Sequence, residues 1–94
     1  MIEFDWDEPK NKANRKKHGI WFEEAQSIFD DVYGRLFLDS EHSDDEDRFV
    51  LIGYNSSRKL LVVIHCHRES DSVIRIVSAR KATKRERVFY EKGI

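Results

Sequence analysis

Arg68, Arg75, Arg80 and Arg87, with Lys81, Lys84 and Tyr90 among them, are the residues of this sequence best suited to chemistry on an anion. A guanidinium grips two phosphate oxygens in a planar fork, and a phenol ring can stack on an unpaired base. Together these types suit a phosphodiester. In a helix starting near position 83, Lys84, Arg87 and Glu91 share one face, and Arg87 and Tyr90 stand three apart. The competing reading is a solvated basic helix whose Val88 and Phe89 pack on a sheet. Two more groups titrate usefully. His18, in Lys16-Lys17-His18-Gly19, can exchange a proton near neutral pH, although a cation at a helix end is equally explained by the helix dipole. Glu86 can act as a general base, but three residues after Thr83 it also completes a capping box. His65-Cys66-His67 has metal-binding side chains, yet in a strand Cys66 points away from both histidines and no second cluster completes a zinc site. No metal and no cofactor are expected.

The charge is segregated along the chain. The formal net charge is only −1, but residues 10 to 17 hold Lys10, Lys12, Arg15, Lys16 and Lys17 without an acid, and residues 39 to 47 hold six acids without Lys or Arg. From 75 to 92, seven basic residues face Glu86 and Glu91, a balance of 7 − 2 = +5. A polyanion responds to that local field rather than to the total. Ninety-four residues make one domain, 1–94, with a lean core, since 39% of them are hydrophobic and 37% charged. No apolar run approaches the ~20 residues that span a bilayer, the N-terminus MIEFDWDEPK lacks the basic start of a secretion signal, and Cys66 has no partner for an internal disulfide. A cytoplasmic location is the resulting expectation.

The elements that must position these side chains follow from periodicity. Ile2, Phe4 and Trp6 alternate with acids, as in a short half-buried strand. Asp7 caps a polar helix with Pro9 in its first turn, and Gly19 ends it. Phe22, Ala25, Ile28 and Phe29 predict a second helix over 22–31. Four strands follow, over Arg35–Asp39, Arg48–Tyr54, Leu60–Arg68 and Val73–Arg80, separated by an acidic loop over 40–47, a turn at Asn55–Arg58 and a turn over 69–72. Thr83 and Glu86 open a final helix to Lys92. The predicted fold class is α+β: an N-terminal short strand and a helical hairpin on a four-stranded antiparallel sheet, with a C-terminal helix. Simple alternation puts Leu60, Val62, Ile64, Cys66 and Arg68 on one face of their strand, and Ile74, Ile76, Ser78 and Arg80 on one face of the next.

Two runs of residues, in order and at the right separation, resemble a known family. Phe4-Asp5-Trp6-Asp7, Lys10, Asn14, Lys17-His18-Gly19-Ile20, Phe22 and Ala25 look like the N-terminal signature of BrnT-like toxins. Arg75-Ile76-Val77-Ser78-Ala79-Arg80-Lys81-Ala82, Glu86-Arg87 and Tyr90 look like its C-terminal signature, and Arg48 and Gly53 match between them. The resemblance implies a RelE-like fold and the toxin half of a bacterial type II toxin–antitoxin pair. It further implies a metal-independent endoribonuclease held inactive by a BrnA-like antitoxin, whose ribbon-helix-helix domain binds operator DNA. Under it, Arg68 and Arg80 bind the phosphate and the transition state, and Tyr90 lies near the base or leaving group. His18 and Glu86 are the acid–base candidates, and Lys17, Arg75, Lys81, Lys84 and Arg87 hold RNA. The sequence departs from the pattern at His65-Cys66-His67, just before Arg68. The same basic face would also serve a non-catalytic nucleic-acid-binding or protein-interaction module.

Overall fold

Asp7 accepts a hydrogen bond from the Lys10 N–H, and Gly19 closes the same helix with φ +76°, a left-handed conformation that costs glycine little. These two caps bound α1 (Glu8–His18) in the computed structural model, which describes residues 2–39, 47–68 and 72–93. The expected loop over 40–47 and turn over 69–72 lie, apart from Asp47 and Ser72, outside the described residues. Before α1 runs β1 (Glu3–Asp5). After it come α2 (Phe22–Ala25), a 3₁₀ helix over Gln26–Asp30, β2 (Arg35–Leu38), β3 (Arg48–Tyr54), β4 (Leu60–Arg68), β5 (Val73–Lys81) and α3 (Lys84–Lys92).

The α+β architecture stands, with two differences from the sequence reading. The sheet has five strands in the order β1-β5-β4-β3-β2, and it is mixed, because β1 pairs parallel with β5 through Glu3–Val73, Phe4–Ile74 and Asp5–Arg75. Alternation identified β1 as a strand, but a three-residue segment carries no mark of its partner. The second helix is only one α-turn before it tightens into the 3₁₀ helix. The Glu24 carbonyl, which a longer helix would use internally, accepts instead from the Asn55 side chain at 3.1 Å. Gly53 lets that segment lie close: a Cβ there would meet Asp31 Oδ2 at 3.3 Å and the Ile28 carbonyl at 3.4 Å.

Both faces of the sheet are covered, unequally. On one face Ile20, Phe22, Ala25 and Ile28 pack on Leu51, Leu61, Val63, Ile74, Ile76 and Ala79, all buried. Each large apolar side chain withdrawn there stabilises the fold by about 1.5–3 kcal/mol before the cost of chain entropy. On the other face the short α3 lays Tyr90 on Ile52, Leu60 and Val62, and reaches only that half. The helix α1 brings almost no apolar surface, and its buried residues are Asn11 and Asn14. Asn11 accepts from the Phe22 N–H at 2.7 Å. Asn14 gives Nδ2 to the carbonyls of Ile20 and Ala79, each at 2.8 Å, and accepts from the Ala79 N–H at 3.1 Å. Because β1 pairs with β5 only as far as Arg75, one asparagine satisfies the strand edge beyond it.

A bulge in β5 corrects the predicted facing of its side chains. Opposite β4, Ile76 pairs with His65 and Ser78 with Ile64, so Val77 has no counterpart. The extra residue reverses the alternation. Ile74 and Ile76 join Ala79 on the face of α1 and α2, while Ser78 and Arg80 turn to the face of α3, together with Arg75.

Candidate active site

Three arginines gather on the half of the α3 face that the helix leaves open. Arg48 on β3 pairs with Cys66 on β4, Cys66 pairs with Arg75 on β5, and Arg75 pairs with Asp5 on β1. Directly paired residues point to the same side of a sheet, so Asp5, Arg75, Cys66 and Arg48 form one row across four strands. Neighbouring strands lie about 4.8 Å apart, which spaces Arg48 and Arg75 about 10 Å across Cys66. Arg68, two residues beyond Cys66, stands diagonal to both at roughly 7–8 Å. The three guanidinium stems thus triangulate a patch the size of a phosphodiester group, around a thiol that is only 1% exposed. Asp5 accepts from Arg75 Nη1 at 2.5 Å and orients one of the three.

Arg80 is on the same face but not in that group. It pairs with Val62, whereas Arg68 lies six residues further along β4, about 20 Å at the rise of a strand. The two arginines proposed from sequence as a pair are therefore at opposite ends of the face. Arg80 forms a fork with Glu86 at 2.7 and 2.8 Å, and Glu86 also closes the capping box with Thr83, at 2.9 and 3.1 Å. The hydrogen bond from Arg80 is the main reason the Glu86 carboxyl is pushed down to about 2. The same bond raises the Arg80 guanidinium further above its ordinary value. A carboxylate this acidic holds Arg80 in place and is a weak proton acceptor at neutral pH.

Tyr90 is 2% exposed and donates its hydroxyl to Asp31 Oδ2 at 2.6 Å. Burial, followed by the Asp31 hydrogen bond and charge, raises the phenol well above its usual value. Asp31 itself is the hub of this end of the molecule. Burial pushes its carboxyl up, but bonds from Tyr90 and from the Tyr54 and Tyr33 N–H groups, the last two at 2.8 and 2.9 Å, outweigh that and leave it lowered. Tyr54 meets the Tyr90 ring edge-on at 5.3 Å and accepts from Arg87 Nη1 at 2.9 Å. Arg87 is thus tied to the Tyr54–Tyr90–Asp31 chain. Lys84 is exposed on the same helix, and Lys81 is exposed at the end of β5, opposite Leu61.

His18 and Lys17, at the end of α1, line a shallow hollow of about 210 Å³ with Lys10, Asn14, Val77 and Ser78. Ser78 belongs both to this hollow and to the arginine-bearing face, so the basic end of α1 approaches that face from the open edge of β5. His65 and His67 stack at 5.3 Å on the opposite side of the sheet from Cys66. Among the described residues no three His, Cys, Asp or Glu side chains converge as a metal site.

Sequence reasoning did not single out Arg48 as a site residue, nor Asp5 or Asp31. The signal for Arg48 was present in its alternation with Val50 and Ile52, which places it on the α3 face once β3 is paired with β4. Nothing in a single sequence announces Asp31, whose partners come from β3 and α3.

A family model for BrnT, the ribonuclease toxin of type II toxin–antitoxin systems, matches residues 6–86. The chain belongs to the BrnT family. It is a ribonuclease toxin by family, and its membership implies a cognate antitoxin. The BrnT fold is also present in three dimensions. The 1.1 Å crystal structure of the Brucella abortus ribonuclease toxin BrnT resembles this chain with a TM-score of 0.67 and 24% sequence identity, covering 89% of this chain and 100% of that one. No curated protein matches the chain.

Proposed function

We propose that this BrnT-family chain cuts RNA by metal-independent attack of a ribose 2′-hydroxyl on the adjacent phosphate, on the arginine-bearing half of its sheet. The observation that carries the reading is the triangle of Arg48, Arg68 and Arg75 around Cys66. In such a reaction the 2′-oxygen bonds to phosphorus and the P–O5′ bond breaks. The 2′ proton leaves to a base, the 5′-oxygen gains a proton, and the products are a 2′,3′-cyclic phosphate and a 5′-hydroxyl. Charge accumulates on the non-bridging oxygens in the transition state, and fixed guanidinium donors then bind more strongly than in the ground state. Arg68 and Arg75 supply that stabilisation with Arg48. Arg80, held by Glu86, extends the cationic face toward α3, where Lys84 and Arg87 hold the flanking backbone, with Lys17 at the end of α1; Lys81, opposite Leu61, points to the other face. His18 is the candidate for proton exchange, in the hollow at the edge of β5 that Ser78 also lines.

The antitoxin in this reading is BrnA-like, with a ribbon-helix-helix domain that carries the complex to operator DNA, and the pair works in the cytoplasm. The test uses purified chain and a 5′-labelled RNA in excess EDTA. Cleavage should persist, leave cyclic-phosphate ends, and fall about 10²-fold or more in folded Arg68→Ala or Arg75→Ala protein, as when a transition-state donor is lost. RNA that is bound but never cut would make the face a binding module. Cleavage abolished by EDTA and restored by a divalent cation would replace the mechanism.

A further inference from the structure

Among the described residues, seven of the nine large hydrophobic side chains that remain exposed lie on β2, in the turn before it, or on α3. Leu36, Phe37 and Leu38 are 56%, 43% and 50% exposed, and Val88 and Phe89 are 52% and 43% exposed. These side chains are divided between two faces: Leu36 and Leu38, paired with Leu51 and Phe49, point to the face of α1 and α2, whereas Phe37, opposite Val50, points to the face of α3. The competing reading has Val88 and Phe89 packed on the sheet, but Tyr90 alone of the three is buried. The apolar surface on the α3 face is shaped. Between β2 and α3 runs a cleft of about 470 Å³ whose lining combines the apolar Ile52, Phe37 and Phe89 with the charged Arg35, Arg85 and Glu86. Arg35 links its two sides: its guanidinium lies 4.3 Å over the Phe89 ring and donates to the Phe89 carbonyl at 3.1 Å. Phe37 meets Phe89 edge-on at 6.1 Å. In the sheet order β2 is a terminal strand, with β3 on one side only.

We propose that this cleft and the exposed face of α3 are the docking surface for an acidic, amphipathic segment of the antitoxin, a surface that adjoins the arginine triangle through Phe37 and Arg48 but includes none of its three residues. The proposal rests on the chain being the toxin of a type II pair. Charge selects the occupant. The helix α3 carries Lys84, Arg85, Arg87 and Lys92 against Glu86 and Glu91, and the Glu86 carboxylate is already held by Arg80. A second copy of the chain docked through the same surface would set this cationic patch against another of the same sign, since a two-fold interface uses one patch twice. A segment with one or two large apolar side chains for the cleft, flanked by Asp or Glu, meets both the apolar and the cationic parts of that lining. The fit resembles other grooves that take apolar anchors from a short segment.

The decisive experiment compares the unchanged chain with Phe37→Glu, Val88→Glu and the double variant, each confirmed folded by its thermal melt. Affinity for the full-length cognate antitoxin is measured by calorimetry, and RNA cleavage is measured alongside. Both positions are exposed, and neither is among the residues placed on the RNA, although Phe37 shares the α3 face with Arg48. The double variant should cleave RNA as the unchanged chain does, bind antitoxin about 100-fold more weakly, and resist neutralisation in growing cells, as when anchors at the centre of an interface are lost. Phe37→Lys with Val88→Lys should lose less affinity than the glutamates, because only the glutamates repel an acidic segment. Undiminished binding of the double glutamate variant would overturn the proposal. So would concentration-dependent dimerisation of the chain alone that Phe37→Glu abolishes, which would assign the surface to a second copy. If the unchanged chain cut no RNA at all, the functional reading would fail while the binding arm still decided the surface.

Discussion

His65 is fully buried in β4, and neither ring nitrogen has a hydrogen-bond partner. Phe29 from the 3₁₀ helix meets it edge-on at 4.8 Å, Phe49 of β3 stacks at 5.9 Å, His67 stacks at 5.3 Å, and Ile76 pairs with it from β5. Burial, and then the charge of a protonated His67, lower the imidazole from 6.5 to about 4. The nearby Val63 main chain only partly offsets them. The sign of the linkage is set by the unfolded chain, which takes up this proton near its ordinary pKa while the folded chain refuses it until about pH 4. Stability therefore begins to fall as pH drops through about 6.5, and the loss is complete below about 4. A displacement of roughly 2.5 pKa units at 1.36 kcal/mol each is about 3 kcal/mol, a large part of the stability of a domain this size. Replacing His65 by Leu keeps an apolar volume there and removes both orphaned nitrogens. At pH 7.5 His65→Leu should be neutral or more stable by about 1 kcal/mol, because a buried polar atom without a partner costs about 1–3 kcal/mol and the lost aromatic contacts oppose that gain. Urea unfolding of both proteins from pH 7.5 to 4.5 isolates the effect, since the carboxylates titrate in each. Near pH 4.5 the gap should widen in favour of the variant by about 2–3 kcal/mol. Parallel stability curves would refute the reasoning.

Two further outcomes test the rest of the framework. Asn14→Ala removes three buried hydrogen bonds, to Ile20 and to both main-chain groups of Ala79, and should cost about 3 kcal/mol. Native-state hydrogen exchange should show the Ala79 amide opening faster than the β4 amides; unchanged protection there would mean that α1 is held by something else. Tyr90→Phe removes the bond to Asp31 and should cost about 2 kcal/mol while RNA cleavage per folded molecule stays constant, whereas a 10²-fold loss of cleavage in a folded Tyr90→Phe protein would put the phenol back in the chemistry.

The contrast between what was legible in the chain and what was not has a physical source. Helix caps are local, so Asp7, Gly19 and the Thr83–Glu86 box could be read from neighbours three or four positions away, and the structure has each of them. The bounds of β3 and β4 were legible for the same reason, because alternation needs only the strand itself. Pairing is not local. The parallel partner of β1, the bulge at Val77 and the row that brings Arg48 to Arg75 all depend on a second strand, and one unpaired residue reverses every side chain beyond it. The site candidates sorted by that rule. Glu86 and Arg80 are six residues apart and their fork is nearly local, whereas Arg68 and Arg80 looked equivalent at the ends of their strands until antiparallel register set them at opposite ends of one face. The bulge consequently matters for function as well as for shape. Without it, Ser78 and Arg80 would point toward α1 and α2, and Lys81 in place of Arg80 would join Arg75 on the α3 face. With Val77 unpaired, the apolar core and the cationic face draw on the same strand without competing for the same positions.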